Sequence, residues 1–180
     1  MENNGSDEFG GADVNDVVAL MDIIKQIPDA DSDNIAMMGR SRGSMQSYLA
    51  VKRLPNIKTL IAVAGVSDAH QALIERPNME KVYKKRIPDY EVNIQQELDK
   101  RSVTKWAHEL PSNMPIFLIH GEKDRRVNVG HSIRLATVLK ILEHPHKLLV
   151  YPDDNHSLTQ HRRRMMSEVV SWLDSYLRNP

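Results

Sequence analysis

Apolar residues are distributed along the chain in two ways, as short continuous runs and as positions repeated with helical spacing. The continuous runs are Asn34–Gly39, Ile57–Val66, Ile116–His120 and His146–Tyr151. Uninterrupted apolar runs of this length are typical of strands that are buried on both faces of a parallel sheet. The chain is therefore predicted to contain four buried strands.

Segments with helical spacing lie between and around these runs. After Asp13, which we expect to cap the first helix, apolar side chains recur every three or four positions, and Pro28 ends that helix. Further helices are predicted over Arg42–Lys52, Val129–Glu143 and Gln160–Leu177. This order of strands and helices predicts an α/β fold with a parallel sheet flanked by helices.

Residues 68–112 interrupt the alternation. They are rich in charge and contain Pro77, Pro88 and Pro111, so we expect short helices and loops, with one helix around Ile94–Arg101. A chain of 180 residues fits one domain with a sizeable core. We therefore interpret 1–180 as a single domain and 68–112 as an insert within it.

Composition excludes several classes of function. The chain has 24 Lys+Arg and 24 Asp+Glu, so its charge gives no reason to expect nucleic acid or an anionic membrane as a partner. It has no cysteine, which excludes disulfides and thiolate chemistry. The polar, acidic start is unlike a signal peptide, and the apolar runs are too short to cross a bilayer. We expect a cytoplasmic protein.

The turn after the first predicted strand carries the most specific motif. Gly39, Ser41 and Gly43 form the pattern G-x-S-x-G in "GRSRG". This pattern is typical of a serine on a strained strand-to-helix turn, where side chains at both glycines are expected to collide. Roughly 0.06 matches are expected by chance in a chain of this length, so the surrounding sequence must decide.

A nucleophilic serine also needs a base and an acid that orients the base. In α/β-hydrolases these residues follow in the order Ser, Asp or Glu, His, in loops after later strands. Asp124 follows the strand ending near His120, and His156 follows the strand ending near Tyr151. The order predicts Ser41 as nucleophile, with Asp124 as acid and His156 as general base.

Other side chains compete for these roles. Asp153 and Asp154 are rival acids, but they lie in the histidine's own loop, so Asp124 is favoured. His120 is expected to be a structural histidine that bonds the backbone at a strand end. Asp124 is therefore the predicted acid and His156 the predicted base.

Two further clusters have simpler interpretations. His144 and His146 hint at a metal site, but no third ligand has a convincing spacing, and we predict no metal or other cofactor. Arg162–Arg164 are expected to lie on a solvated helix face, because the neutral total charge argues against a nucleic-acid surface.

Arg40 and Arg42 flank the candidate nucleophile. Their side chains either form salt bridges with loop acids, or one of them meets an anionic group of the substrate, for which Arg40 is our candidate. The backbone N–H of the residue after the nucleophile is an oxyanion donor in α/β-hydrolases, and Arg42 occupies that position.

Several segments resemble the catalytic domain of the prolyl oligopeptidase-like serine peptidases, within the α/β-hydrolase fold. They are "DEFGGADVNDV", "GRSRGS", "RSVTKWAHELPSNMPIFLIHG", "HGEKDRRV" and "VYPDDNHSL", and together they extend over nearly the whole chain. The resemblance implies the same roles for Ser41, Asp124 and His156, and peptide substrates as for aminoacyl- or dipeptidyl-peptidases. Ser44 stands where relatives usually carry another glycine, and we expect only a slight effect on packing.

A larger departure concerns the strands before the motif. In the family, the nucleophile strand lies in mid-sheet after about four others, and the preceding part carries the loop with the second oxyanion donor. Loss of one such donor typically costs roughly 10²–10³ in rate. Here the strand is the first one, so its apolar edge would be open to association. We expect either a homodimer that covers this edge or a fragment of a longer protein.

Three functional hypotheses follow. The first is a serine hydrolase that forms an acyl-enzyme on short peptides. The second is a carboxylesterase that uses the same triad on small esters, since the triad does not distinguish amide from ester. The third is a catalytically impaired hydrolase remnant that serves as a binding module.

Overall fold

A computed structural model describes residues 5–178. Its centre is a four-stranded parallel sheet in the order β1-β2-β3-β4. The strands are β1 (Ile35–Arg40), β2 (Ile57–Val63), β3 (Ile116–Gly121) and β4 (His146–Tyr151). The helices are α1 (Val14–Ile24), α2 (Arg42–Val51), α3 (Ala69–Glu75), α4 (Met79–Arg86), α5 (Ile94–Lys100), α6 (Val103–Trp106), α7 (Gly130–Ile141) and α8 (Arg162–Leu173). A short 3₁₀ helix (Ala107–Glu109) follows α6, and a π-helical segment (Asp174–Arg178) follows α8.

The two central strands are buried on both faces because successive side chains point to opposite sides of the sheet. Leu60 of β2 and Leu118 of β3 pack in one cluster with α2, α6 and α7. Ile61 and Phe117 belong to a second cluster with α8. The predicted α/β architecture, a parallel sheet flanked by helices, is confirmed. None of the helices in the described part of the chain is long and apolar enough to span a membrane.

Most predicted elements agree with the structure to within two residues at either end. β2 is an exception, because it ends at Val63 rather than Val66. Ala64 adopts a positive φ of 48°, which turns the backbone out of the strand, while its N–H still donates to the Ile119 carbonyl of β3 at 2.8 Å. The last predicted helix is shorter as an α-helix and continues as the π-helical segment.

Asp13 occupies the N-cap position of α1, as predicted, but its side chain makes no capping hydrogen bond. Its carboxylate instead accepts the N–H groups of Gly10 (2.9 Å) and Gly11 (2.8 Å), and the side-chain amide of Gln46 (2.6 Å). The side chain thus turns back to hold the loop before the helix. Asp13 thereby joins this loop to α2.

The insert is built of α3 to α6 and packs against the N-terminal segment. Phe9 and Tyr83 meet edge to face with ring centroids 5.1 Å apart. The buried guanidinium of Arg101 donates to the carbonyls of Phe9 (2.7 Å) and Glu8 (2.9 Å). The insert therefore fixes residues 8–9 beside α2.

β1 forms an open edge of the sheet. Among residues 5–178, no strand pairs with its outer side. Met38 pairs in register with Ile61 and shares its face, yet its relative exposure is 48%. The apolar edge expected from the sequence is present, whereas the homodimer stays a prediction.

Buried titratable groups lie between the insert and α7. His131 accepts the N–H of Ser67 at Nδ1 (3.3 Å), so Nε2 carries the proton and lies 3.3 Å from the Glu75 carboxylate. Burial lowers the pKa of His131 to about 4, although the Glu75 charge opposes this shift. The folded protein therefore holds His131 in its neutral form.

We predict that this histidine makes stability fall in mild acid. As pH drops below the ordinary pKa of 6.5, His131 is protonated first in the unfolded chain, so the unfolded state binds more protons and is stabilised relative to the folded state. The expected loss is roughly 2 kcal/mol between pH 7 and pH 5, measured by urea unfolding. His131→Gln should reduce this slope, whereas His108→Gln, at an exposed position, should keep it. Equal slopes in all three proteins would contradict the prediction.

We also predict that the β1 edge associates. An unpaired apolar strand offers N–H and C=O groups to a second copy, so light scattering after size exclusion should show a mass that rises with concentration. Met38→Lys should give a monomer, because a charge on the edge opposes pairing. Ile141→Lys, which removes an exposed apolar side chain (76%) from α7, is the control and should associate as the wild type does. A wild-type monomer at every concentration would exclude this pairing.

Candidate active site

Ser41 lies in a strained turn between β1 and α2. Its backbone has φ 56° and ψ −122°, a conformation that costs a non-glycine residue on the order of 1–3 kcal/mol. Its N–H donates to the Val63 carbonyl at 2.8 Å, which ties the turn to β2. The residue remains partly exposed, so the turn presents the serine at the carboxyl end of the strand.

The two glycines of the motif differ in role. A Cβ at Gly39 would lie 2.5 Å from the Gly43 carbonyl oxygen, so glycine is required there as predicted. A Cβ at Gly43 would meet nothing within 4 Å, so the predicted collision at this position is wrong. It is the backbone of Gly43 that lies close to Gly39, so only Gly39 has to lack a side chain. Ser44 is buried and donates to the Gly39 carbonyl at 2.9 Å, and Gly65 leaves room for its side chain.

Asp124 is the buried acid of the site. Its Oδ2 accepts Nδ1–H of His156 at 2.6 Å and lies 3.1 Å from Nε2 of His120. Its Oδ1 accepts the N–H groups of Arg126 (2.8 Å) and Val127 (3.0 Å). Burial by itself would raise the pKa of Asp124, but these hydrogen bonds hold it well below its usual range. The carboxylate is therefore charged at neutral pH.

His156 is oriented by this carboxylate. Because an ionised carboxylate only accepts hydrogen bonds, Nδ1 carries the proton, and Nε2 of the neutral ring is left to accept one. Arg40 donates to the His156 carbonyl (3.2 Å) and to Ser157 Oγ (3.0 Å), which joins the histidine loop to the residue before Ser41.

The three predicted residues are not all bonded to each other. Asp124 and His156 are in contact, whereas Ser41 Oγ makes no hydrogen bond to any group within residues 5–178. Catalytic hydrogen bonds in proteins without substrate are often long and tighten only in the complex. The structure thus places Ser41 after β1, Asp124 after β3 and His156 after β4, at the carboxyl ends of strands of one parallel sheet.

The rival acids have other roles. Asp154 is fully buried and accepts the N–H groups of Asn155 (2.8 Å) and His161 (2.9 Å), and it lies 3.0 Å from Nδ1 of His161. Asp153 is exposed and forms a salt bridge with Lys123 at 2.5 Å. Asp154 therefore shapes the histidine loop, and neither residue contacts the His156 ring.

His120 does more than bond the backbone. Its Nε2 lies 2.9 Å from the Val127 carbonyl, as the sequence predicted for a strand-end histidine, and it also faces Asp124. Both partners are acceptors, so Nε2 carries the proton, and the Ser132 hydroxyl donates to Nδ1 at 2.7 Å. This contact of His120 with the acid was not predicted from the sequence. The one feature that could have indicated it is the spacing of four residues between His120 and Asp124, and that spacing is not specific, because many residue pairs across a tight turn share it.

The arginines beside Ser41 are both engaged. Arg42 forms a salt bridge with Asp7 at 2.8 Å and lies over the Phe9 ring at 5.3 Å, and Arg86 pairs with the same carboxylate. Of the two alternatives considered for the arginines, the Arg42 side chain thus forms a salt bridge with a loop acid. As the first residue of α2, Arg42 has a backbone N–H without an acceptor one turn earlier, as the oxyanion role requires.

His144 and His146 each lie within hydrogen-bond distance of a backbone carbonyl. His144 lies 2.8 Å from the Met114 carbonyl, and His146 lies 2.8 Å from the His144 carbonyl. Within the described part of the chain, no group of three or more His, Asp or Glu side chains could hold a metal ion. Arg162–Arg164 are exposed on α8.

The sequence of the chain is similar to those of known peptidases. The chain is 27% identical over 171 residues to the uncharacterized peptidase YtmA of Bacillus subtilis, covering 94% of this chain and 66% of that protein. It is 26% identical over 179 residues to dipeptidyl-peptidase 5 of Porphyromonas gingivalis, covering 96% of this chain and 26% of that protein. The chain thus spans about two thirds of the first relative and about a quarter of the second.

Solved structures show the same fold. The acylaminoacyl peptidase of Pyrococcus horikoshii superposes with a TM-score of 0.84 at 19% identity, over 97% of this chain and 29% of that one. The sequence model described as "Prolyl oligopeptidase family" matches residues 2–180. This chain is therefore a member of the prolyl oligopeptidase family.

Proposed function

We propose that the chain is a serine peptidase that cleaves short peptides through an acyl-enzyme on Ser41. The observation that carries the proposal is the hydrogen bond of 2.6 Å between Asp124 and His156, at the sheet edge that also presents the strained Ser41 turn. A buried, charged acid that orients an imidazole, together with a partly exposed serine at the same end of the sheet, is the arrangement that activates a hydroxyl for attack.

The proposed reaction has two halves. His156 Nε2 takes the proton of Ser41 Oγ as the oxygen attacks the peptide carbonyl, and the Arg42 N–H donates to the oxyanion. The C–N bond then breaks, and His156 gives the proton to the leaving amine. In the second half His156 takes a proton from water as the water oxygen attacks the ester carbonyl, and it gives that proton to Ser41 Oγ as the C–Oγ bond breaks. Asp124 stays ionised throughout and stabilises the imidazolium.

Membership of the family favours peptides over esters as substrates, although the same steps would cleave a small ester. The relatives named as a dipeptidyl-peptidase and an acylaminoacyl peptidase support short peptides in particular. We assign no second oxyanion donor among residues 5–178, which is the one observation that favours an impaired binding module.

We predict that a fluorophosphonate probe labels the wild-type chain and not Ser41→Ala. Such a probe reacts with a serine that a base activates, whatever the natural substrate, so the label reports the Ser41–His156 pair directly. Ser171→Ala, which removes an exposed hydroxyl on α8, is the matched control and should label as the wild type does. Intact mass and gel fluorescence measure the label.

Folded wild-type protein that takes no label would contradict the proposal and favour the binding module. Labelling that persists in Ser41→Ala would assign the nucleophile to another residue. Circular dichroism of each variant separates loss of reactivity from loss of fold.

We further predict that Asp124→Asn slows labelling by about 10³–10⁴-fold. The amide of asparagine would donate to His156 Nδ1, which moves the ring proton to Nε2 and leaves that atom unable to accept from Ser41. Asp153→Asn, at the exposed rival position, should label at the wild-type rate. The opposite pattern, with Asp153→Asn slow and Asp124→Asn unaffected, would move the acid to the histidine loop.

A further inference from the structure

Ser41 and His156 follow strands that lie at opposite edges of the described sheet. Ser41 comes directly after β1, and His156 lies in the loop after β4, with β2 and β3 between the two strands. Neighbouring strands lie about 4.8 Å apart, so β1 and β4 are separated by about 14 Å. The loop that carries His156 must therefore return across the end of the sheet before its ring can reach the serine.

The Arg40 side chain connects this loop to the serine turn. Arg40 is the last residue of β1, and its Nη2 donates to the His156 carbonyl at 3.2 Å and to Ser157 Oγ at 3.0 Å. Among residues 5–178, these are the only hydrogen bonds between the Ser41 turn (39–43) and the histidine loop (152–161). Both bonds therefore restrain how near the loop lies to Ser41.

The hydrogen bond from His156 to Asp124 does not set this distance. Asp124 follows β3 and orients the ring by accepting Nδ1–H at 2.6 Å. The other partners of this carboxylate lie in β3 and in the turn that follows it, and none of them belongs to the Ser41 turn. The acid thus determines which way the ring faces, whereas the Arg40 bonds join the loop to the nucleophile.

The histidine loop is held together by its own hydrogen bonds. Asp154 accepts the N–H groups of Asn155 and His161, and the Asn155 side chain accepts the N–H of Ser157 at 2.8 Å. The loop also packs closely on the end of β3, where a Cβ at Gly121 would lie 2.5 Å from the Asn155 carbonyl oxygen. A bond to one part of this loop therefore restrains the loop as a whole.

We infer that Arg40 is a positioning residue, whose hydrogen bonds hold His156 at the distance from which Nε2 can take the proton of Ser41 Oγ. The inference rests on the proposed function, because this distance matters only if that proton transfer occurs. A charged donor makes stronger hydrogen bonds than a neutral one, and a misplacement of about 1 Å can cost about 10²-fold in rate. Since Arg40 is exposed, water replaces part of the lost contact, and we expect a loss of about tenfold.

The first measurement is the rate of labelling by an uncharged fluorophosphonate at increasing probe concentration. Arg40→Met keeps the aliphatic stem and removes the donors, so the rate at saturating probe should fall about tenfold while the half-saturating concentration stays unchanged. An uncharged probe has no anionic group for Arg40 to bind, so loss of a substrate contact cannot produce this fall. Arg163→Met, at an exposed arginine of α8, is the matched control and should label as the wild type does.

Two further variants distinguish the hydrogen bonds from a general effect on the fold. Arg40→Lys keeps a charged donor and should label faster than Arg40→Met. Ser157→Ala removes one acceptor and keeps the His156 carbonyl, so it should slow labelling less than Arg40→Met does. The double variant Arg40→Met/Ser157→Ala should be no slower than Arg40→Met, because the effect of Ser157 depends on Arg40.

Hydrogen exchange measures the position of the loop without a reactive serine. Backbone exchange in peptides that cover residues 152–161, followed by mass spectrometry, should be faster in Arg40→Met than in the wild type, because the loop loses its bonds to the Ser41 turn. Exchange in Arg163→Met should match the wild type.

Arg40→Met protein that labels at the wild-type rate would overturn the inference and favour an anionic substrate group as the partner of Arg40. A fall confined to the half-saturating concentration, or unchanged exchange of the loop, would overturn it as well. These outcomes keep the proposed function as long as the wild type labels at Ser41. Wild-type protein that takes no label loses the proposed function, and faster loop exchange in Arg40→Met would still support Arg40 as the residue that holds the loop.

Discussion

The candidate site depends on one buried charge. A carboxylate removed from water is costly unless hydrogen bonds replace the water, and Asp124 receives them from three directions. His120 approaches from β3, the N–H groups of Arg126 and Val127 from the following turn, and His156 from the loop after β4. Loss of any donor leaves a buried charge less satisfied, so the three segments hold each other in place.

The Ser41 turn is joined to this network by the Arg40 side chain rather than by the Ser41 hydroxyl. Its N–H is bonded to Val63 and its preceding residue, Arg40, is bonded to the histidine loop, so the strained turn is restrained on two sides. The insert restrains it on a third side, because Arg101 holds residues 8–9 and Asp7 in the same segment pairs with Arg42. The Ser41 hydroxyl itself makes no hydrogen bond among residues 5–178.

The charge around the site depends on which side chains form ion pairs and which do not. The acids near the site are neutralised by local partners: Asp7 by Arg42 and Arg86, and Asp153 by Lys123. Asp124 is satisfied by histidines and backbone N–H groups. The Arg125 side chain makes no hydrogen bond or ion pair among residues 5–178. A chain with no net charge therefore still has a basic pocket beside His156.

By itself, the sequence determined the order of strands and helices and proposed Ser41, Asp124 and His156 as the site, because apolar spacing and residue order along the chain are local properties. It did not predict that the Asp13 carboxylate turns back to Gly10, or that β2 ends where Ala64 adopts a positive φ. The roles of Gly43 and His120 were likewise decided by the tertiary structure. Only packing brings residues distant in sequence within hydrogen-bond distance, so contacts such as that between His156 and Asp124 exist only in the folded chain.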